Sequence, residues 1–332
     1  MRTLKIALLA AIAVASVSAA SVELVAGGGT GEPGVSAHDI HFVEPFGVAF
    51  DRAGNLFVIE YVGGRLIRID KAGKTSLVAG DEAFNEPHAI VMNGADQLFI
   101  ADTHNNRVLR RDVATGNTVT VAGNGEKGYS GDGGPANEAA FNGIYAIDLA
   151  PDGKQLYVAD LTNKRIRRID LASGIVTTIA GNGQEGVPAD GAVAADSPLV
   201  DPRAVTADSD GNVYVLERRG NALRVVDKDG RIRTLIKPGD ITPDLKGPKH
   251  LCLDRNGNVI IADAENHLVR RYDIKTGKTT TIIGTGDAGL TLDAANPLKT
   301  QVTRPHGVYV RADGALYVTD SYNHRILRVT DY

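Results

Sequence analysis

The sequence has one cysteine, no tryptophan and no surplus of basic over acidic residues, with 36 Lys and Arg against 40 Asp and Glu in 332 residues. Each shortage excludes something. With Cys252 alone, no internal disulfide can form. Cys252 alternates with Leu251 and Leu253 in strand-type sequence, the setting of a buried, inert thiol. Aromatic residues are only 5% of the chain, which argues against a sugar-stacking groove. Without a concentrated positive field, nucleic acid is not expected as a partner. No amphipathic helical period appears after residue 20. No coiled-coil or lipidation device is present either, so a monomer is expected.

Residues 1–20 are different in kind. Arg2 and Lys5 precede an apolar run, Ile6–Val17, and Val17-Ser18-Ala19 is a small-residue cleavage site. This is the pattern of a secretory signal peptide, too short for a stable membrane span. It predicts an exported protein, secreted or periplasmic, with no transmembrane segment after cleavage. Loss of Arg2 and Lys5 takes the formal net charge from −4 to −6.

What the chain does have is repetition. One fifteen-residue phrase recurs six times without a gap: LFVIEYVGGRLIRID from 56, LFIADTHNNRVLRRD from 98, LYVADLTNKRIRRID from 156, VYVLERRGNALRVVD from 213, VIIADAENHLVRRYD from 259 and LYVTDSYNHRILRVT from 316. The fifth residue is acidic in every copy: Glu60, Asp102, Asp160, Glu217, Asp263 and Asp320. Around the second copy, Pro87 opens an apolar run to Met92. Leu98–Ala101, Arg107–Arg111 and Thr118–Ala122 follow, separated by Asn, Gly and Asp turns. Four short strands per repeat define the blade of a β-propeller. The sixth copy carries only three strand segments, and Ser21–Gly27 (SVELVAG) matches the fourth-strand phrases TVAG and TIAG. The fold predicted for residues 21–332 is therefore all-β, a six-bladed β-propeller closed by its N-terminal strand, which leaves no open edge at the seam.

The unit P-x-G-V-A-x-D-x-x-G-N-L-Y-V-A-D-x-x-N-x-R-I resembles the NHL repeat over essentially all of 21–332. Blades 1, 2, 3 and 6 match it best, whereas blade 4 has Glu217 and Ala222 at the Asp and Arg positions and blade 5 has Leu268 at the Arg position. The resemblance implies a scaffold on which several kinds of function are carried by loops.

Propeller topology sends the connections between blades, and those between second and third strands, to one face. The long connections lie there: Gly27–Glu44, Gly123–Asn142, Gly181–Asp201 and Gly284–Arg304. The loop at 123–136 has neither the ending of a nucleotide loop nor the carboxylate spacing of an EF-hand, and reads as tight turns lying flat on the propeller. All eight histidines map to the same face: His38, His41, His88, His104, His250, His267, His306 and His324. They invite a metal or proton-transfer reading, although a solvated loop spelled NHR satisfies the pattern equally. The residue after each blade opener gives a channel-mouth ring of Phe46, His88, Tyr145, Arg203, Lys249 and His306. Convergent polar groups in a concave site are the usual signature of binding. The acidic fifth residues, with Arg107, Arg165 and Arg325 five positions on, recur too often for catalysis and point to folding.

Pro87-His88-Ala89 and Pro305-His306-Gly307 resemble the metal-binding segments of peptidylglycine amidating lyases, which implies zinc held by one His from each of three alternate blades. Here Arg203 stands at the third place, and His250 lies in blade 5, one residue out of register. Tyr322, two residues past Asp320, is similar to the lyase tyrosine but in another blade. A calcium-dependent lactonase site would use Glu44, yet no Asn–Asp pair lines up with it. Two functions follow. The first is an exported binding platform that meets a protein, peptide or surface polymer through its long-loop face. The alternative is a metal-dependent enzyme, lyase or lactonase-like, with zinc or calcium on His88, His250 and His306, Tyr145 as base and Arg203 holding an anionic group.

Overall fold

A computed structural model describes residues 19–80 and 83–332; the signal-peptide reading of residues 1–20 falls almost wholly outside them. Six four-stranded antiparallel sheets surround a central channel. Their innermost strands are Pro45–Phe50, Ala89–Met92, Ile144–Leu149, Pro202–Ala207, His250–Leu253 and Val308–Val310. The outer strand of the sixth blade is Ser21–Gly27, paired antiparallel with Arg325–Thr330 from Ser21↔Thr330 to Gly27↔Arg325. The ring is thus closed by the N-terminal strand, and the seam carries a ladder interrupted only by a bulge at Val25 in place of an unpaired edge. No helix among the described residues is long and apolar enough to cross a membrane.

The blades are joined by a short code that ends on each opener. Three residues before it stands an apolar side chain: Phe42, Phe84, Phe141, Leu199, Leu245 and Val302, each at most 9% exposed. Phe42, for instance, packs with Ala26 and Ile326 of blade 6 and with Val48 and Ile67 of blade 1. Phe141 joins blades 2 and 3 in the same way. These wedges fill the space between twisted sheets, where a void would forfeit dispersion contacts. The aliphatic wedges of blades 4 to 6 serve the same space as the phenylalanines of blades 1 to 3.

The long connections are strapped to the blades. Each runs outward and hydrogen bonds to the outer hairpin of the next blade. Ala37 N–H donates to Gly73 O (2.7 Å), Ala136 to Gly174 O (2.8 Å) and Ala194 to Gly230 O (2.9 Å). At the seam, Val22 N–H donates to Ala294 O (3.0 Å). The 123–136 loop is one of these connections, tied against the outer hairpin of blade 3. Its Asp132 is spent locally, accepting from Tyr129 Oη (2.7 Å) and pairing with Arg167 (2.8 Å). Gly123 and Gly181 have positive φ, and a Cβ there would meet the carbonyl oxygens of Asn106 and Lys164 at 2.1 and 2.0 Å, so the turn that starts each strap requires glycine.

Candidate functional site

The repeated carboxylates come first, because they place everything at the channel mouth. Every one is fully buried. Each accepts a hydrogen bond from the backbone N–H two residues before the opener of its own blade: Val43 to Glu60 (2.8 Å), Asn85 to Asp102 (2.8 Å), Asn142 to Asp160 (2.8 Å), Val200 to Glu217 (2.9 Å), Lys246 to Asp263 (2.8 Å) and Thr303 to Asp320 (2.6 Å). An arginine then completes each socket. In blades 1, 2 and 6 it stands five residues on, as Arg65, Arg107 and Arg325. In blades 3, 4 and 5 it stands seven on, as Arg167, Arg224 and Arg270. Alternate residues of a strand share a face, so a shift of two preserves the pair. The substitutions Ala222 and Leu268 in the family pattern are thereby compensated. Arg165 is a correction to the sequence reading: it leaves Asp160 to Arg167 and donates to Asn163 O (2.8 Å) and Asn182 O (2.9 Å).

A second latch closes the loop between second and third strands. Its last residue is left-handed in every blade: Gly64, Asn106, Lys164, Asn221, His267 and His324. Four of these side chains accept a hydrogen bond from the backbone N–H just before the next blade's opener. They are Asn106 from Gly143 (3.1 Å), Asn221 from Gly247 (3.0 Å), His267 Nδ1 from Arg304 (3.1 Å) and His324 Nδ1 from Glu44 (3.3 Å). Asn tolerates this backbone region, and an imidazole nitrogen supplies the same acceptor. Of the remaining loop histidines, His104 pairs with Glu86 (2.9 Å) and His38 Nε2 donates to Leu24 O (3.1 Å).

Sockets and latches together present the next residue to the channel. All six residues of the expected ring, Phe46, His88, Tyr145, Arg203, Lys249 and His306, line one cavity of about 250 Å³ at the mouth, with Tyr61, Arg218, Arg304 and Tyr322 above them. In blades 1, 3 and 4 the ring residue is the extra residue of a β-bulge: pairing jumps from Pro45 to Gly47, from Ile144 to Ala146 and from Pro202 to Ala204. A bulge re-aims one side chain out of the ladder, here Phe46, Tyr145 and Arg203. The straps stay clear of the mouth, since Arg304 alone of their residues lines it.

The ring residues hold one another. Tyr61, Phe46 and His306 form a stack with centroids 4.5 and 3.6 Å apart. Arg203 Nη2 donates to His306 Nε2 (2.9 Å), and its guanidinium lies 4.2 Å over the Tyr145 ring. His88 closes the belt edge-on to Tyr145 (4.5 Å) and to Tyr61 (4.9 Å). His88 Nδ1 lies 2.9 Å from Glu86 O, and because a carbonyl only accepts, this nitrogen carries the proton. Burial, then the charge of Arg203, holds both His88 and His306 well below the ordinary histidine value, so both rings are neutral. Burial lowers Lys249 to about 7 and Arg203 to about 9.

The three histidines offered as metal ligands do not converge. His88 and His306 line the mouth with centroids 5.7 Å apart, and Arg203 donates to the second of them. His250 is deeper, in a separate chamber of about 60 Å³ with Asp148 and Cys252. The described residues hold no group of three or more His, Cys, Asp or Glu arranged for a metal ion. An arginine hydrogen bonded to a prospective ligand also opposes a cation there. Glu44 lies outside the cavity lining. Cys252 is half-buried on the channel wall, and burial pushes its thiol far up, which suits an inert residue.

The architecture defines a six-bladed propeller whose candidate site is the mouth of its channel. Sequence comparison then supplies the family. The model of the teneurin NHL domain matches residues 58–170, and that of the NHL repeat matches 245–272 and 303–328. The chain is an NHL-repeat β-propeller. It is similar to Protein SUPPRESSOR OF QUENCHING 1, chloroplastic, of Arabidopsis thaliana, 23% identical over 231 residues that cover 64% of this chain and 22% of that protein. It is also similar to NHL repeat-containing protein 2 of Gallus gallus, 28% identical over 233 residues that cover 57% of this chain and 31% of the relative. The chain therefore spans less than a third of the length of either relative. Among solved structures, an auxiliary nutrient binding protein from Bacteroides thetaiotaomicron VPI-5482 superposes with a TM-score of 0.70 at 14% identity, covering 93% of this chain and 76% of that one; this likeness is one of fold.

Proposed function

We propose that this protein is an exported recognition propeller, which binds a partner through the face that carries the long connections and the channel mouth. One observation carries the reading. The six positions that a repeat could have filled identically hold five residue types, and they converge in an open, prearranged cavity. Their mutual contacts fix them before any ligand arrives, which lowers the ordering cost of binding. Exposed apolar side chains on the surrounding straps, Val187 (71% exposed) and Leu290 (65%), add surface for a protein, peptide or polymer. The reading places the work in binding, since both mouth histidines are held by protein groups, His88 through Nδ1 and His306 through Nε2.

The test has two parts. N-terminal sequencing of the protein from the exported fraction should begin at Ala20 or Ser21; an intact Met1 in the cytoplasm would refute export. Partners retained by the immobilised protein should be lost on Arg218→Glu with Tyr322→Ala at the mouth, and kept on Arg255→Glu at the opposite rim. Equal retention by all three would refute the assignment of the face.

A further inference from the structure

Arg203 breaks the rule that the rest of the molecule obeys. Each socket pairs its arginine, buried in every blade but the second, with a buried carboxylate. Arg203 is 3% exposed, and its protein hydrogen bond runs to a neutral imidazole. Its Nε and Nη1 have no partner among the described residues. His306 accepts from Arg203 through Nε2, so its proton sits on Nδ1, and that donor is buried and unpartnered as well. Every unsatisfied group at the mouth is thus an N–H donor. Lys249 adds an ammonium group on the same wall. Its nearest carboxylate, Glu265, lies 3.9 Å away and is already bonded to Arg304. Arg218 projects from the rim.

The cavity is lined by four cationic side chains and by no carboxylate. The outer-rim cavity between blades 5 and 6 makes the contrast. There Arg255, Arg271 and Arg328 are interleaved with Asp254, Asp313 and Asp331. An uncompensated buried guanidinium costs several kcal/mol of desolvation unless a counter-charge is supplied. At the mouth no carboxylate bonds to Arg203: the charge of Asp201 acts on it from outside the lining, and that carboxylate is 3.6 Å from Arg219.

We infer that the channel mouth is an oxyanion site, in which Arg203, Lys249 and Arg218 hold a carboxylate or phosphate group beside the Tyr145 ring. This names the ligand chemistry of the recognition face proposed above, and it rests on that reading for its location only. At about 250 Å³ the cavity lies below the usual range for drug-sized ligands. It therefore takes a small acid, or the single anionic end of something larger. Guanidinium and ammonium donors suit such groups through charge-assisted hydrogen bonds.

The experiment is a titration of the full chain with succinate and with orthophosphate, at constant ionic strength balanced with chloride, read by calorimetry and by the shift in Tm. Saturable binding with Kd at or below about 1 mM is expected for at least one probe. Arg203→Met and Lys249→Met should each weaken it by about tenfold or more, while Arg255→Met leaves it unchanged. Arg203→Met should keep or raise the Tm of the free protein, so loss of binding is not loss of fold. Absence of saturable binding by both probes, or equal weakening by Arg255→Met, would overturn the inference. Displacement of a captured partner by the bound probe identifies the anion as the partner's own; binding without displacement identifies a free ligand. Capture that fails while the titration succeeds removes the platform reading and leaves the anion site standing. The reverse result removes only the anion site.

Discussion

The six carboxylate sockets and the six mouth positions are built from the same repeats, a few residues apart, and obey opposite rules. In the sockets one solution is used six times. The acid is always buried, the backbone donor always precedes the opener by two residues, and an arginine is always present even where it has moved by two. At the mouth the backbone is equally regular but the side chains diverge, and donors are left without acceptors. A buried carboxylate whose donors are supplied is what folding requires of every blade. Unsatisfied divergence at positions held rigidly by that repetition marks where a ligand is expected.

Breaking a socket should cost most. Asp320→Ala leaves Arg325, Asn323 and the Thr303 N–H without their acceptor. The expected loss is about 3–5 kcal/mol in urea unfolding, the range for a buried charge deprived of its partner. A loss below about 1 kcal/mol would show that the sockets are dispensable and would erase the contrast.

Asp148 tests the same logic in the lower channel, where a half-buried carboxylate has no arginine. It accepts from Thr206 Oγ1 (2.5 Å) and Leu149 N–H (2.9 Å), yet burial raises it to about 6. A folded value above the unfolded one contributes stability that is complete below about pH 4 and lost as pH rises through about 6. Asp148→Asn should therefore stabilise the protein at pH 7.5 by about 1–3 kcal/mol and have little effect at pH 4. Equal effects at both pH values would refute the assignment.

Removing the unpaired cation at the mouth should reverse the sign seen in the sockets. Arg203→Met is expected to raise stability by about 1 kcal/mol in the absence of anion, whereas Arg270→Met, which strips Asp263 of its partner, lowers it. Destabilisation by both would show that Arg203 is a structural residue.

The pH profile of anion binding gives a smaller effect. Lys249 faces Arg203, Arg218, Arg304 and Glu265, and burial sets it near 7. Deprotonation removes a positive charge, so succinate affinity should fall by several-fold as pH rises through about 7, and this step should vanish in Lys249→Met. The smallest effect tests register. Leu268→Arg combined with Arg270→Leu moves the blade 5 arginine to the place it occupies in blades 1, 2 and 6. Stability should return to within about 1 kcal/mol of the parent, far closer than with Arg270→Leu alone.

Much of this was legible in the chain. Repeat number, four strands per blade, the N-terminal strand at the seam and the six ring residues all follow from spacing, because strand alternation and turn chemistry are local. The wedge series Phe42, Phe84, Phe141, Leu199, Leu245 and Val302 was equally available as an apolar residue three before each opener, but the change from aromatic to aliphatic disguised it. Arg167, Arg224 and Arg270 could not be assigned to their acids from spacing, since a strand offers two positions on the same face and only packing selects one. His267 and His324 look like candidate ligands in sequence and are latches in space.

The propeller, its closure and the ring of side chains at the mouth are specified by period and order along the chain. The character of that ring emerges only from packing in three dimensions. Bulges at Phe46, Tyr145 and Arg203 turn three side chains inward, His250 sinks to a lower chamber, and Arg203 meets a neutral imidazole where the sockets offer a carboxylate. Charge compensation depends on distances between residues from different blades, and distances of that kind are fixed only when the ring closes.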